Sequence, residues 1–249
     1  AYGPRGYHPS AQVRLDEAIT TAAAIIFEAE ATRQLYMERG DEQRLLHIEY
    51  GVPTAMIEEH VATLDRAARR RELGWADEDV VLLCVGTLEP RKNLAALLPL
   101  GTELDRRGVD LVFVGPSGWA DVHATVTRAP SVRWLGFVPS ADRDALLAGA
   151  DVAAQPSLDE GFGLPVLEAM AQGTPVVTSA ATSTAEVAGD TGVLVDPRRG
   201  DEVREAVLAL LDDPDRAAAL GHAGRRRSAE FTWQRCARAT AAMYGELLT

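Results

Sequence analysis

From residue 80 onward, short runs of consecutive apolar residues alternate with segments whose apolar residues recur every three or four positions. Runs of the first kind, ended by Gly, Pro or Ser, are typical of strands that are buried on both faces of a sheet. Segments of the second kind are typical of helices with one buried face. The runs that predict strands are VVLLCVG (80–86), VDLVFVG (109–115), part of SVRWLGFV (131–138), DVAAQPS (151–157), TPVVTSA (174–180) and GVLVDP (192–197).

The segments between these runs predict helices, and several carry signals for a helix start or a break. NLAALLPLGTELDRRG is predicted to begin with Asn93 as its N-cap and to kink or break at Pro99, because proline cannot continue a helix. SADRDALLAGA is predicted to begin with Ser140 as N-cap, and STAEVAG with a capping box that joins Ser183 to Glu186. The rest of the chain beyond the sixth strand predicts further helices.

This alternation predicts an α/β fold, a Rossmann-like doubly wound parallel sheet covered by helices on both faces. Ligands of such sheets bind outside the carboxyl ends of the strands. Two polar segments, GTLEPRKN and DEGFG, come directly after predicted strands. We therefore expect them to meet at one edge of the sheet.

The chain divides into three predicted parts. Residues 1–53 predict a helix, a short strand, a helix and the strand RLLHIEYG, a βαβ-sized piece with too few strands to close its own core. We interpret this piece as the tail of a preceding domain, with a hinge or linker at GVP, and expect the chain to begin late in a larger protein. Residues 54–231 form the Rossmann-like domain, and 232–249 a C-terminal helix that crosses back toward the N-terminal domain.

Composition excludes several classes of function. The 249 residues are 47% hydrophobic and 25% charged, an ordinary balance for a globular core. A net charge of −12 argues against nucleic acid as a partner. Cys84 and Cys236 form no disulfide framework, and no His or Cys spacing predicts a metal site, so we expect two reduced packing cysteines and no metal. Neither a membrane-spanning apolar run nor a secretory signal is present, which makes the cytoplasm the expected compartment.

The first polar segment places Arg91 and Lys92 directly before the predicted helix N-cap, Asn93. A helix N-terminus carries partial positive charge, so each cation there costs a few tenths of a kcal/mol. The arrangement is favourable if an anion lies between the cations and the helix end. Two solvated surface cations are the alternative interpretation.

The second polar segment feeds a helix that Pro165 opens and Gly173 ends. Gly161 and Gly163 would let the backbone approach a ligand closely and direct its free N–H groups at a phosphate. The segment is not the dinucleotide fingerprint G-x-G-x-x-G, because Val166 stands at the third glycine, and it is not a P-loop, because no Gly-Lys-Ser/Thr follows.

Two glutamates flank this helix start. Glu168, one turn into the helix, can bind paired hydroxyls such as those of ribose, and Glu160 can accept hydrogen bonds from a polyol. Alternatively, Glu160 is an acid that interacts with the helix dipole, and Glu168 belongs to a solvated helix face. Together with the Arg-Lys pair, the two carboxylates predict a site for a sugar and a diphosphate.

These residues resemble a known family. VGTLEPRKN, the segment from VRWLGFVPSADRDALL to DEGFGLPVLEAMAQGTPVV, AEVAGDTGVLVDP and FTWQRCARATAAMYGELL resemble the donor-binding half of the retaining GT-B glycosyltransferases of family 4. The resemblance runs from about Val80 to the end of the chain, with a weaker match through 20–53. It implies the C-terminal half of a GT-B fold with a partial N-terminal-domain segment.

By this resemblance, Arg91 and Lys92 hold the donor diphosphate, Glu168 binds the ribose, and Glu160 contacts the transferred sugar. It assigns catalysis to Glu160, Arg91 and Lys92, and donor binding also to Gly86, Thr87, Phe137, Val138, Gly161, Phe162, Gly163 and Leu164. Within that set, the backbone near Phe137 and Val138 recognises the base. Many members carry Arg where this chain has Thr87, which leaves the phosphate charge to Arg91 and Lys92.

The resemblance further implies transfer with retention of configuration, without a metal or other cofactor, from a GDP- or UDP-sugar to an unidentified sugar, lipid or natural-product acceptor. The acceptor site, and any peripheral membrane association, would belong to the rest of the N-terminal domain. We expect this chain alone to bind nucleotide and to turn over slowly or not at all. The alternatives are a non-catalytic nucleotide-sugar-binding module, one half of a split enzyme, a sugar phosphorylase and an epimerase.

Overall fold

A computed structural model describes most of the chain from residue 21 onward. The described residues are 17, 21–37, 44–53, 70–71, 73–76, 78–119, 121–129 and 131–248. Most of the first predicted helix, before residue 25, lies outside them, as does most of the segment that joins residue 53 to residue 70.

The described strands form two parallel sheets. A small sheet pairs β1 (Ile25–Phe27) with β2 (Leu45–His47). The large sheet has six strands in the order β5-β4-β3-β6-β7-β8, which are β3 (Val80–Val85), β4 (Val109–Val114), β5 (Val132–Trp134), β6 (Val152–Gln155), β7 (Val176–Ser179) and β8 (Val193–Val195). All six predicted strands are present, and the α/β fold class is confirmed. The strand order reverses between β3 and β6, and in such sheets this switch point opens a ligand-binding crevice at the carboxyl ends.

Helices cover both faces of the large sheet. In chain order, the described helices are α1 (Glu30–Gln34), which packs on the small sheet, α2 (Gly101–Arg106), α3 (Val122–Arg128), α4 (Ser140–Gly149), α5 (Leu164–Ala171), α6 (Thr184–Ala188), α7 (Gly200–Leu211), α8 (Pro214–Ser228) and α9 (Trp233–Leu247). Short 3-10 turns at Pro90–Lys92, Leu94–Ala96 and Leu98–Leu100 precede α2. The break predicted at Pro99 is therefore confirmed.

The sheet is buried on both faces, as the apolar runs predict. Along β3, Leu83 packs into the core under α4 and α5, whereas Leu82 and Cys84 pack into the core under α2 and α7. Burial raises the pKa of the Cys84 thiol to about 12, which keeps it protonated at neutral pH. Cys84 is therefore a packing residue, as expected, and both cysteines are free thiols.

Three predicted helix caps are wrong. Asn93 begins no α-helix: it ends the Pro90–Lys92 turn in the left-handed conformation, with φ of 54°. The cap position of α4 is Pro139, and Ser140 is already helical without a side-chain cap. Ser183 makes no cap to α6, because its hydroxyl donates to the Glu160 carbonyl at 2.8 Å.

The N-terminal piece lies directly against the Rossmann-like part. Gly51 leaves no room for a side chain, since a Cβ there would lie 2.1 Å from the Trp233 backbone nitrogen. The next residue, Val52, forms a parallel bridge with Thr232, and its N–H donates to the Phe231 carbonyl at 3.2 Å. The segment predicted as a hinge therefore contacts the start of α9 through backbone atoms.

Candidate functional site

The turn after β3 and the loop after β6 meet at the switch point of the sheet. The Leu158 N–H donates to the Arg91 carbonyl at 2.7 Å, which joins the two segments through their backbones. Above this joint, Glu160 extends its carboxylate between the two cations of the β3 turn. The sequence alone predicted that these segments meet at one sheet edge, and the structure brings their charged groups into direct contact.

The Glu160 carboxylate binds three side chains. Lys92 Nζ lies 2.5 Å from Oε1, Arg91 Nη1 lies 2.9 Å from Oε2, and the Ser157 hydroxyl donates to Oε1 at 2.8 Å. Burial opposes ionisation of this carboxyl, but the Lys92 ammonium and the Arg91 guanidinium outweigh it and hold the Glu160 pKa below its ordinary value. Glu160 is therefore a carboxylate with fixed orientation at neutral pH.

Arg91 also bridges to a second acid. Its Nε lies 2.6 Å from Oε1 of Glu89, whose side chain is buried. Burial raises the pKa of Glu89, and the neighbouring Arg91 opposes that rise. The crevice thus holds two cations among carboxylates whose ionisation depends on them.

Lys92 is the only lysine in the sequence, and its side chain is only 7% exposed. It lies over Gly86, where an added Cβ would be 3.1 Å from Lys92 Cε and the φ is +154°. The glycine that ends β3 therefore makes the space for the lysine stem. A compact ammonium fits this channel better than the broad fork of a guanidinium would.

Asn93 fixes the turn that carries both cations. Its side-chain amide donates to the Pro156 carbonyl at 3.0 Å and to the Pro197 carbonyl at 2.7 Å. These carbonyls follow β6 and β8, so one amide ties the cation turn to two other strand ends. Asparagine suits the position because it tolerates the left-handed backbone and supplies two donors.

The loop before α5 presents unused donors. The backbone N–H groups of Gly161, Phe162 and Gly163 donate no hydrogen bond to any described residue. Two carbonyls of this loop accept hydrogen bonds from side chains of other segments. The Glu160 carbonyl accepts from Ser183, and the Gly161 carbonyl accepts from Thr32 at 2.9 Å. Free N–H groups just before a helix N-terminus are the donors that anions commonly bind in proteins.

The Phe162 side chain anchors this loop. Its ring is buried and makes edge contacts with Tyr50 at 5.7 Å and Phe231 at 6.0 Å between centroids. The next residue, Gly163, has φ of +105°, and a Cβ there would lie 2.6 Å from Thr184 Cγ2. Only glycine combines this backbone conformation with this close approach. Of the predicted loop residues, Phe162 therefore offers only its backbone to a ligand.

Glu168 lies on α5 and pairs with a residue that the sequence did not single out. Arg143 Nη2, on α4, lies 3.0 Å from Glu168 Oε1 and 2.9 Å from Asp144 Oδ1. Burial raises the Glu168 pKa to about 7, with Arg143 lowering it and Asp144 raising it. Glu168 is thus not a solvated helix residue, as one interpretation held, but a buried carboxyl that titrates near neutral pH.

The remaining predicted residues surround this cluster without joining its ion pairs. Phe137 and Val138 lie on the loop between β5 and α4, with the Phe137 side chain 76% exposed. Thr87 follows β3 and packs beside Gly118, and Leu164 is the first residue of α5. The exposed Phe137 ring is free to contact a planar group.

For several residues of the site, no pattern in the sequence indicated their role. Ser157, Arg143 and Ser183 come from three different elements and contact the predicted carboxylates or their backbone. Glu186, the presumed capping-box acid, instead accepts from the Glu30 and Ala31 N–H groups at 2.9 and 2.5 Å. Of these, Ser157 alone could have been found from the pattern, because it ends a predicted strand run.

The described residues contain neither a candidate metal site nor a candidate membrane-spanning helix. No group of three or more His, Cys, Asp or Glu among them is arranged to hold a metal ion. No helix in the same part of the chain is long and apolar enough to cross a membrane.

Comparison with known proteins identifies a family model that covers all six strands of the large sheet. The model described as Glycosyl transferases group 1 matches residues 65–227. Among curated proteins, O-antigen chain mannosyltransferase B of Escherichia coli is 31% identical over 256 residues, which cover 96% of this chain and 66% of that protein. MMP alpha-(1->4)-mannosyltransferase of Mycolicibacterium hassiacum is 50% identical over 185 residues, which cover 71% of this chain and 43% of the relative.

Solved structures agree on the fold. Sucrose-phosphate synthase from Thermosynechococcus elongatus superposes with a TM-score of 0.83 at 23% identity, over 100% of this chain and 64% of that one. Anabaena HepE in complex with UDP-glucose superposes with a TM-score of 0.82 at 20% identity, over 96% and 68% of the two chains. The chain thus spans about two thirds of these structures, and 66% and 43% of the two curated relatives.

Proposed function

This chain belongs to the glycosyl transferases group 1 family, of the GT-B type, and we propose that it is the donor-binding half of a retaining, metal-independent glycosyltransferase of family 4. Its substrate would be a nucleoside-diphosphate sugar bound in the crevice at the switch point between β3 and β6. Arg91, Lys92 and the loop before α5 would hold the diphosphate, and Glu168 the ribose. Glu160 would contact the transferred sugar.

One observation carries this proposal: two cations contact Glu160, and the three residues that follow it have backbone N–H groups with no acceptor among the described residues. Lys92 and Arg91 reach Glu160, and the N–H groups of 161–163 follow that glutamate directly in the chain. A diphosphate is a compact dianion that matches this set of donors. Without a ligand, Glu160 neutralises part of the positive charge, so the site is balanced before the donor binds.

The same groups would stabilise the departing nucleotide. When the bond between sugar and phosphate breaks, negative charge builds on the phosphate oxygens. Cations and N–H dipoles that are already oriented stabilise this charge without further reorganisation. Lys92 and Arg91 would thereby supply the charge neutralisation for which other enzymes use a metal ion. The Glu160 carboxylate, close to both, would orient the sugar hydroxyls and favour positive charge on the sugar ring.

Relatives and neighbours support a nucleotide-sugar donor without choosing the base. The two curated relatives are named mannosyltransferases, and a neighbouring structure contains UDP-glucose. We propose a GDP- or UDP-sugar as donor. Because the chain spans only part of its relatives' length, we propose that the acceptor binds to the rest of the N-terminal domain, of which residues 1–53 would be the tail. Transfer by this chain alone would then be slow or absent.

Calorimetric titration with GDP, UDP, ADP and dTDP tests the proposal directly. We expect one nucleotide to bind best, and Lys92→Met to weaken it at least tenfold, about 1.4 kcal/mol. Arg204→Gln is the control, since Arg204 forms an ion pair with Glu103 on the outer helices, 2.6 Å apart. Folded protein that binds none of the four, or equal binding by Lys92→Met, would contradict the proposal. Product anomer analysis and chelation with EDTA test retention and metal independence.

A further inference from the structure

Burial and one neighbouring cation have opposite effects on the ionisation of the Glu168 carboxyl. Its side chain is 14% exposed, and Arg143 Nη2 approaches Oε1 at 3.0 Å. The same Nη2 lies 2.9 Å from Oδ1 of Asp144, so a carboxylate on the same helix also binds the guanidinium. Arg143 sits in the first turn of α4, directly after the loop that carries Phe137 and Val138.

No other described cation faces Glu168. The charged groups that act on it are Arg143, which favours its ionised form, and Asp144, which opposes it. Two charged groups on the helices packed against α5 bind elsewhere. Glu186 of α6 accepts from the α1 amides, and Arg227 of α8 donates to the Glu186 and Val187 carbonyls. Among the described residues, Arg143 is therefore the cation that favours the ionised form of Glu168.

Ribose recognition needs that ionised form. The two ribose hydroxyls are donors, and a carboxylate accepts from both through its two oxygens. A protonated carboxyl keeps one oxygen as an acceptor and turns the other into a donor. Burial by itself favours the protonated form.

We propose that Arg143 is a positioning residue for nucleotide recognition: its guanidinium favours the ionised form of Glu168 and orients that carboxylate toward the ribose hydroxyls. This inference rests on the proposed function and extends it to a residue to which the resemblance assigns no role. Arg143 does not itself hold the diphosphate. It acts through Glu168, and its removal changes the pH at which a nucleotide binds.

The direction of the pH effect follows from the sign of the shift. Glu168 titrates at about pH 7 in the free protein, so donor affinity falls as the pH decreases below about 7. Without Arg143 the pKa of Glu168 rises further, because burial favours the protonated form and the guanidinium that opposes this effect is gone. The midpoint of the affinity profile therefore moves to higher pH in Arg143→Gln, and the charge-conserving Arg143→Lys moves it less.

The experiment measures the dissociation constants of GDP-mannose and UDP-glucose from pH 5.5 to 9. These sugar esters carry no phosphate that titrates near neutral pH, so the profile reports on the protein. The variants are Arg143→Gln, Arg143→Lys and Glu168→Gln, with Arg204→Gln as the matched arginine control. We expect a loss of roughly tenfold at pH 7 for Arg143→Gln, recovery at pH 9, and a flat profile for Glu168→Gln.

The outcomes separate the two proposals. If the wild-type protein binds neither sugar nucleotide at any pH, the proposed function fails, and this inference with it. If the wild-type protein binds but Arg143→Gln has an unchanged midpoint, or loses affinity equally at every pH, Arg143 is only structural and the inference alone is overturned. Partial rescue by Arg143→Lys together with a flat Glu168→Gln profile supports it.

Discussion

Lys92 Nζ and Glu160 Oε1 lie 2.5 Å apart in the crevice, although 68 positions separate the two residues in the chain. Both side chains are nearly excluded from solvent, each 7% exposed. A buried pair is costly to break, because removal of one partner leaves the other charge uncompensated. The only lysine of the chain is therefore a stability element as well as a candidate ligand for phosphate.

Lys92→Met tests this role through the pH dependence of stability. The Glu160 pKa is lowered in the folded protein, so its pairing stabilises the fold above about pH 4.5 and is lost as the pH falls through the folded pKa. We expect Lys92→Met to lower the free energy of unfolding by about 2 kcal/mol at pH 7, since Arg91 remains, and by much less near pH 3. Urea unfolding at both pH values measures the difference.

The control for Lys92→Met is Arg107→Met, which removes the more exposed Arg107–Asp212 pair. Exposed pairs contribute about 0–1 kcal/mol, so this variant should unfold almost as the wild type does. A loss of stability in Lys92→Met that is the same at both pH values would show that the ammonium does not act through Glu160.

Glu168 is predicted to reduce stability at neutral and alkaline pH. Its pKa of about 7 lies above the ordinary 4.5, so the folded protein binds the proton more tightly than the unfolded chain. Stability from this group is thus fully present below about pH 4.5 and is lost as the pH rises through 7. At 1.36 kcal/mol per pKa unit the whole effect is about 3 kcal/mol.

Glu168→Gln should therefore be stabilised relative to the wild type at pH 8 by up to about 3 kcal/mol more than at pH 4. Thermal or urea unfolding at the two pH values gives the comparison. The same variant should bind nucleotide less well, so stability and binding would change in opposite directions. Equal effects at both pH values would mean that Glu168 does not titrate in this range.

Glu186 is predicted to join the N-terminal piece to the loop before α5. Its carboxylate accepts from two N–H groups at the start of α1, and Thr32 on the same helix donates to the Gly161 carbonyl. Glu186→Ala should raise the exchange rate of the Glu30 and Ala31 amides, with a cost of about 1–2 kcal/mol. Nucleotide affinity should also fall, because the Gly161 carbonyl loses its support.

Hydrogen–deuterium exchange of the segment around α1 measures this effect, with Glu230→Ala as the control. Glu230 is an exposed acid whose Oε2 lies 3.7 Å from Arg227 Nη1, and it contacts no α1 amide in the described structure. Unchanged exchange at α1 in Glu186→Ala would show that the piece is held by its other contacts, such as the Tyr50–Phe162 ring pair.

The two glycines of the loop are predicted to respond differently to alanine. Gly163→Ala should cost about 2–3 kcal/mol, because φ is +105° and the new Cβ would meet Thr184 Cγ2 at 2.6 Å. Gly161→Ala should cost little stability, since nothing lies within 4 Å of its Cβ position. Its methyl group would instead stand where a ligand approaches, so we expect a selective loss of nucleotide affinity.

A double variant separates steric from backbone strain at Gly163. Thr184→Ser removes the clashing methyl, so it should recover part of the stability lost in Gly163→Ala and leave the cost of the left-handed backbone. Chemical unfolding of both single variants and the double variant gives the coupling energy. Strictly additive losses would contradict the predicted contact.

The sequence by itself determined the layout of the site. Continuous apolar runs require strands buried on both faces, and alternation of strands with helices requires a parallel sheet. The carboxyl ends of such strands meet at one edge. These rules depend on short-range periodicity, and they place Lys92 and Glu160 on segments that follow strands at the same edge of the sheet.

Only the tertiary structure decided which partner each polar group takes. Asn93, Ser183 and Glu186 all have local capping roles available, and each instead bonds to a segment distant in the chain. Arg143 likewise finds Glu168 across two packed helices. A buried donor or acceptor binds whatever partner packing brings to it, and contacts between distant segments leave no periodic signal in the sequence.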